Sequence, residues 1–101
     1  MKIFLSELAE NKLLRLNDYL LEKWDKKTRD IFFQKLNDKI EQISLQPESC
    51  PRSKALNGLY RCVVTKQTTF YYRILEHAKE IEIITVFDTR QDPDKMTEDL
   101  L

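Results

Sequence analysis

A chain of 101 residues with 42% apolar side chains and zero net charge can bury one modest core but is too short for two independently stable units, so residues 1–101 are read as a single domain. Its longest apolar runs, Phe70 to Tyr72 and Ile83 to Val86, fall far below the about 20 residues a bilayer span requires. Met1 to Leu5 turns polar at Ser6-Glu7 before a secretory apolar stretch can form, so no membrane association and a cytoplasmic location are expected. Two cysteines, Cys50 and Cys62, and a single histidine fit neither a disulfide framework nor tetrahedral zinc spacing. Free thiols, no metal and no cofactor are the expectation.

Lys2 to Leu5 reads as a short strand. Ser6 is a natural helix N-cap, with Glu7 and Glu10 where the positive end of a helix dipole favours acids. Ala9, Leu13, Leu16, Leu20 and Trp24 then recur at spacings of three and four, which predicts a helix over about 7–24 with one buried face. Asp25 to Thr28 is a polar break with two capping residues. Phe32 or Phe33, Leu36, Ile40 and Ile43 resume helical spacing, and Pro47 ends that helix near residue 46. So short a break folds the two helices back antiparallel. Leu13, Leu16, Leu20, Trp24, Phe33, Leu36, Ile40 and Ile43 form the predicted seam.

Residues 47–58 hold two of the three prolines and the only glycine, and form the one substantial loop. Leu59 to Thr65, Thr69 to Leu75 and Glu80 to Phe87 are β-branched and aromatic runs, and their short connections permit only antiparallel hairpins. Asp92-Pro93, with Asp94 following, reads as a cap and first turn of a short C-terminal helix.

Common catalytic signatures are missing: with one glycine and one histidine there is no Walker loop, dinucleotide fingerprint or nucleophilic triad. His77 falls in a predicted hairpin turn, where a solvated side chain is the simpler reading. Asp88, Asp92 and Asp94 lack the glycine bend of a calcium loop, and the last two are accounted for by capping. Charge is distributed unevenly, however. Residues 1–50 and 76–101 are balanced or acidic, whereas residues 51–75 carry Arg52, Lys54, Arg61, Lys66 and Arg73 and no acid. Brought together, these make a cationic strip for an anionic partner. Strand alternation puts Arg61 with Val63 on one face and Tyr60 with Cys62 on the other, and it separates Tyr71 and Arg73 from Phe70, Tyr72 and Ile74. A sheet face presenting arginines and tyrosines would suit phosphate contact with stacking, or a protein hot spot.

Asn17-Asp18-Tyr19-Leu20, Leu45-Gln46-Pro47, Gly58-Leu59-Tyr60-Arg61, Phe70-Tyr71-Tyr72-Arg73-Ile74 and the run from Ile83 to Pro93 together resemble the RelE/ParE superfamily, toxins of bacterial type II toxin-antitoxin modules linked to growth inhibition and plasmid stabilization. The resemblance implies an α+β fold: a short N-terminal strand, an antiparallel helical hairpin packed on an antiparallel β-sheet, and a short C-terminal helix. It also implies a cognate antitoxin as partner. Two mechanisms share this fold, ribosome-dependent cleavage of mRNA and inhibition of DNA gyrase. Cleavage by 2′-hydroxyl attack needs an acid and a base beside the stabilising cations, and the nuclease branch places a tyrosine near the C-terminus. Here no tyrosine follows Tyr72. The departure favours the ParE-like branch, with no catalytic residue assigned and Lys54, Arg61, Lys66, Arg73 and Arg90, seconded by Tyr60 and Tyr72, as target-binding residues. An RNase, with ribosome and mRNA as partners, and a non-toxic remnant that only binds an antitoxin are the alternatives.

Overall fold

Ser6 ends the first strand and starts the first helix, as its sequence position requires. In a computed structural model of the chain, which describes residues 1–90, β1 (Lys2–Leu5) leads into α1 (Glu7–Lys23). The Ser6 side chain accepts from the Ala9 N–H at 3.0 Å and satisfies one of the orphan donors of the first turn. Asp25 repeats the device: its carboxylate accepts from the Thr28 N–H at 2.7 Å and starts α2 (Lys26–Leu45) after a two-residue break. β2 (Tyr60–Val63), β3 (Thr68–Leu75) and β4 (Glu80–Asp88) follow. The C-terminal helix expected from Asp92 lies outside the described residues.

The four strands form one sheet in the order β1-β4-β3-β2. β2, β3 and β4 pair antiparallel as their short connections demand, but β1 joins the far edge parallel to β4, Lys2 opposite Glu80 and Leu5 opposite Ile83. The sheet is therefore mixed rather than wholly antiparallel. Between Tyr71 and Tyr72 the β3–β4 register slips by one residue: Tyr71 faces Thr85 and Tyr72 faces Ile83, leaving Ile84 as the extra residue of a bulge. Ser6 seats itself there, its N–H donating to the Ile83 carbonyl at 2.9 Å and its hydroxyl to the Ile84 carbonyl at 2.6 Å.

One sheet face meets the helices. Ala9, Leu13, Leu16 and Leu20 from α1 and Phe32, Leu36 and Ile43 from α2 bury against Tyr60, Cys62, Phe70, Tyr72, Ile81, Ile83 and Val86. The seam differs from expectation at one end. Of the two adjacent phenylalanines Phe32 is the buried one, while Phe33 and Ile40 only flank the core. Trp24, expected inside, is 56% exposed. It caps α1 with φ −123° and ψ −122°, so its backbone has left the helical path and its side chain no longer falls on the Leu13–Leu20 stripe.

Truncating a helix residue should therefore cost in proportion to its burial. Leu20→Ala is expected to lose about 2 to 5 kcal/mol in a denaturant melt, and Trp24→Ala at most about 1 kcal/mol. Equal losses would contradict the exposed position of the indole.

Candidate functional site

Period-two alternation divides the functional side chains between two faces. On the face turned from the helices, Arg61 stands opposite Tyr71 across β2–β3, and Arg73 stands opposite Glu82 across β3–β4. Arg61 is exposed and has no ion pair among the described residues. Arg73 is half exposed and ion-paired to Glu82 at 2.7 Å, so part of its charge is spent within the sheet. Tyr71 shares this face yet is only 3% exposed, its ring edge-on to Phe87 at 6.0 Å.

Tyr60 and Tyr72 are on the opposite face and are buried, so they do not stand beside Arg61 as a shared binding surface would require. Their rings stack at 5.1 Å and 13°, as expected for a directly opposed pair. The Tyr72 hydroxyl donates to the Pro47 carbonyl at 2.7 Å, fastening the long loop to the sheet, and burial leads the causes that push this phenol well above its ordinary range. A phenol held neutral and committed to a backbone carbonyl is a poor proton donor or acceptor for chemistry on the far side of the sheet.

The five cations named from sequence do not form one cluster. Lys54 is in the loop beside the start of β2, whereas Lys66 is in the β2–β3 turn at the other end of that strand; both are exposed. Arg90 lies at the Lys66 end. The Thr89 N–H donates to the Gln67 carbonyl at 2.9 Å, drawing the chain after β4 against that turn. There Arg90 Nε donates to Asp88 Oδ1 at 2.9 Å and Nη2 to Oδ2 at 2.6 Å, a bidentate geometry that suits guanidinium and carboxylate. Thr68 Oγ1 donates to the same carboxylate at 2.5 Å, and the guanidinium lies 6.0 Å from the centre of the Trp24 ring.

Asp88 is 5% exposed. Burial alone would raise its carboxyl, but hydrogen bonds from Arg90 and Thr68 together outweigh it and hold the group below its ordinary value. The Arg90 guanidinium is raised, first by its hydrogen bonds to Asp88. Sequence reasoning named Arg90 and overlooked its partners, because Asp88 was weighed only as a cation ligand and Thr68 fell in a connection between strands. Opposite charges two residues apart were the only local signal. His77 is exposed in the turn after β3, and no cluster of metal-ligating side chains occurs among the described residues. No helix among them is long and apolar enough to cross a membrane.

A helical hairpin after a parallel edge strand, laid on one face of a β1-β4-β3-β2 sheet with cations on the other, defines the fold class of small toxins of the RelE/ParE kind. The family model for the ParE toxin of the type II toxin-antitoxin system, parDE, matches residues 3–93, and the chain belongs to that family. Among solved structures, the YoeB/ParE toxin from Agrobacterium tumefaciens superposes with a TM-score of 0.64 at 17% identity, covering 87% of this chain and 98% of that one. A chromosomal ParDE toxin-antitoxin system from P. aeruginosa superposes at 0.69 with 14% identity, covering 87% and 95%. At such identities the likeness is one of fold. No curated protein is significantly similar in sequence.

Because the folded Asp88 carboxyl titrates below its unfolded counterpart, near about 4, its contribution to stability is present above that pH and drains away as pH falls through the lower folded value. Asp88→Asn should lower stability at neutral pH by about 2 to 4 kcal/mol. The gap from wild type should narrow steadily as melts are repeated toward acid, and a constant gap would show that the charge of Asp88 is not what Arg90 and Thr68 hold.

Proposed function

We propose that this chain is the cytoplasmic toxin of a toxin-antitoxin pair, that it inhibits growth by binding a macromolecular target, DNA gyrase, and that a cognate antitoxin neutralises it. The observation that carries the binding mode is the sidedness of the sheet. The exposed cation Arg61 is on one face, and Tyr60 and Tyr72 are buried on the other. General acid-base cleavage of RNA requires a proton donor and acceptor within hydrogen-bond reach of the scissile phosphate. A surface that only binds requires none. ParE-family membership and the fold shared with a ParDE system support the antitoxin partner; the gyrase target rests on the ParE-like character of the sequence.

Arg61 is the first contact in this reading, with Lys54, Lys66 and the partly neutralised Arg73 adding longer-range attraction. Arg90 acts differently, since its guanidinium is already engaged by Asp88. Its removal would disturb the end of the sheet as well as any target contact.

Arg61→Ala should weaken growth inhibition by a graded amount equivalent to about 1 to 3 kcal/mol of binding, with an unchanged melting midpoint. Purified wild-type protein should inhibit gyrase supercoiling, and primer extension on translated messages from expressing cells should show no codon-positioned cuts. Such cuts with unaffected gyrase would move the chain to the nuclease reading. Failure of the neighbouring gene product to co-purify would remove the antitoxin.

A further inference from the structure

The loop before β2 contains a short antiparallel pairing beside which the two cysteines come close to one another. Arg52 and Tyr60 form an isolated bridge, flanked by hydrogen bonds from the Arg61 N–H to the Pro51 carbonyl and from the Ser53 N–H to the Leu59 carbonyl, both 2.8 Å. Those two bonds lie on either side of the Arg52–Tyr60 pair and make it the non-hydrogen-bonded kind. The bridge is isolated and Pro51 has no N–H to extend it, but the Arg61–Pro51 bond ties together the neighbours of Cys62 and Cys50, and the two thiols lie within hydrogen-bond reach of one another. A disulfide spans Cα atoms roughly 4.4 to 6.8 Å apart, a reach that two thiols already in contact across adjoining backbone can meet. Both thiols are free and buried, and both belong to the same core cluster as Tyr60 and Tyr72.

We propose that Cys50 and Cys62 are an oxidisable pair, a modification site at which a peroxide-class oxidant closes an intramolecular disulfide that fastens the loop of residues 46–59 to strand β2. The chemistry balances without further partners. One thiol, as thiolate, attacks the peroxide, forming an S–O bond as the O–O bond breaks, and leaves a sulfenic acid and one water. The second thiol attacks that sulfur, an S–S bond forms, and a second water departs with the remaining proton. Two thiols are oxidised by two electrons and one peroxide is reduced to two waters.

Cys50 is the first to react, because it sits on the loop and is 7% exposed, whereas Cys62 in the strand is 1% exposed. Burial, with the neighbouring Cys50 thiol next in effect, pushes the Cys62 thiol up to about 12, which makes Cys62 a poor first nucleophile. The disulfide ties the segment carrying Lys54 to the strand carrying Arg61, and neither sulfur is part of the binding surface proposed above.

The test is peroxide treatment of the native full chain, followed by intact-mass and peptide mapping. The expected product is monomeric, lighter by two hydrogens, closed to alkylation, reopened by dithiothreitol, and mapped to a Cys50–Cys62 cross-link. Its melting midpoint should rise by roughly 5 to 15 °C over the reduced chain. Cys50→Ser should show no loss of two hydrogens under the same treatment. Disulfide-linked dimers, oxygen-adduct masses in place of a cross-link, thiols still open to alkylation after treatment, or a cross-link that forms only in the urea-unfolded chain would each overturn the proposal.

Discussion

The hydroxyl of Ser6 holds the two halves of the molecule in register. It accepts from the Ala9 N–H and donates to the Ile84 carbonyl, so one oxygen ends β1, caps α1 and occupies the bulge in β4. A bulge leaves a residue out of the ladder, and here the freed carbonyl is satisfied by the residue that starts the helix. α1 is thereby fixed at the middle of β4 and runs alongside its second half. Lys12 then comes to lie 4.0 Å from the centre of the Phe87 ring, and Trp24 at the helix end reaches Arg90. Of the Asp88 network at the end of the sheet, the Trp24 contact follows from the course of α1, while β3–β4 pairing itself sets Thr68 against Asp88.

With α1 and α2 on one face, the alternation of each strand decides which side chains become core and which remain available. Tyr60, Cys62, Phe70 and Tyr72 are drawn inward; Arg61 and Arg73 are left outside. The aromatic stack and the Tyr72 hydroxyl then anchor the loop through the Pro47 carbonyl, which gives a loop with two prolines a defined path despite its lack of regular structure. A buried hydroxyl without a partner costs about 1 to 3 kcal/mol, so this contact links the polar end of Tyr72 to the loop as firmly as its ring links the core.

What depends on neighbours along the chain was readable from residues alone. The caps at Ser6 and Asp25, the Leu13–Leu20 stripe, the stop before Pro47 and the three hairpin strands all rest on spacings of a few residues. The parallel docking of β1 on β4 joins positions almost eighty residues apart and has no local signature. Trp24 obeyed helical periodicity in sequence, but periodicity does not state where the cap turns the backbone aside. The cationic strip is drawn out rather than clustered for a related reason: nearness in sequence put Lys54 and Lys66 in one block, and strand β2 separates them by its own length. Alternation was legible strand by strand, Tyr60 opposite Arg61 and Tyr72 opposite Arg73, but the pairing register that puts both tyrosines on one face and the helices that cover it were not.

Under the proposed reading, the arginines suit a binding surface on this sheet better than a catalytic one. Stabilising a pentacoordinate phosphate demands a cation held in place before reaction, with its charge uncommitted. Arg90 is held in place by a bidentate carboxylate and an aromatic ring, and that same carboxylate neutralises it. Arg61 is uncommitted among the described residues, but nothing there fixes its side chain, so engaging a phosphate or a protein acid would first have to order it. Arg73 is intermediate, half exposed and shared with Glu82. Position and free charge thus fall on different residues. Several weak, mobile cations spread along a sheet edge are suited to attracting and gripping a large surface, where each contact adds a little and no single one must be in place when a bond breaks.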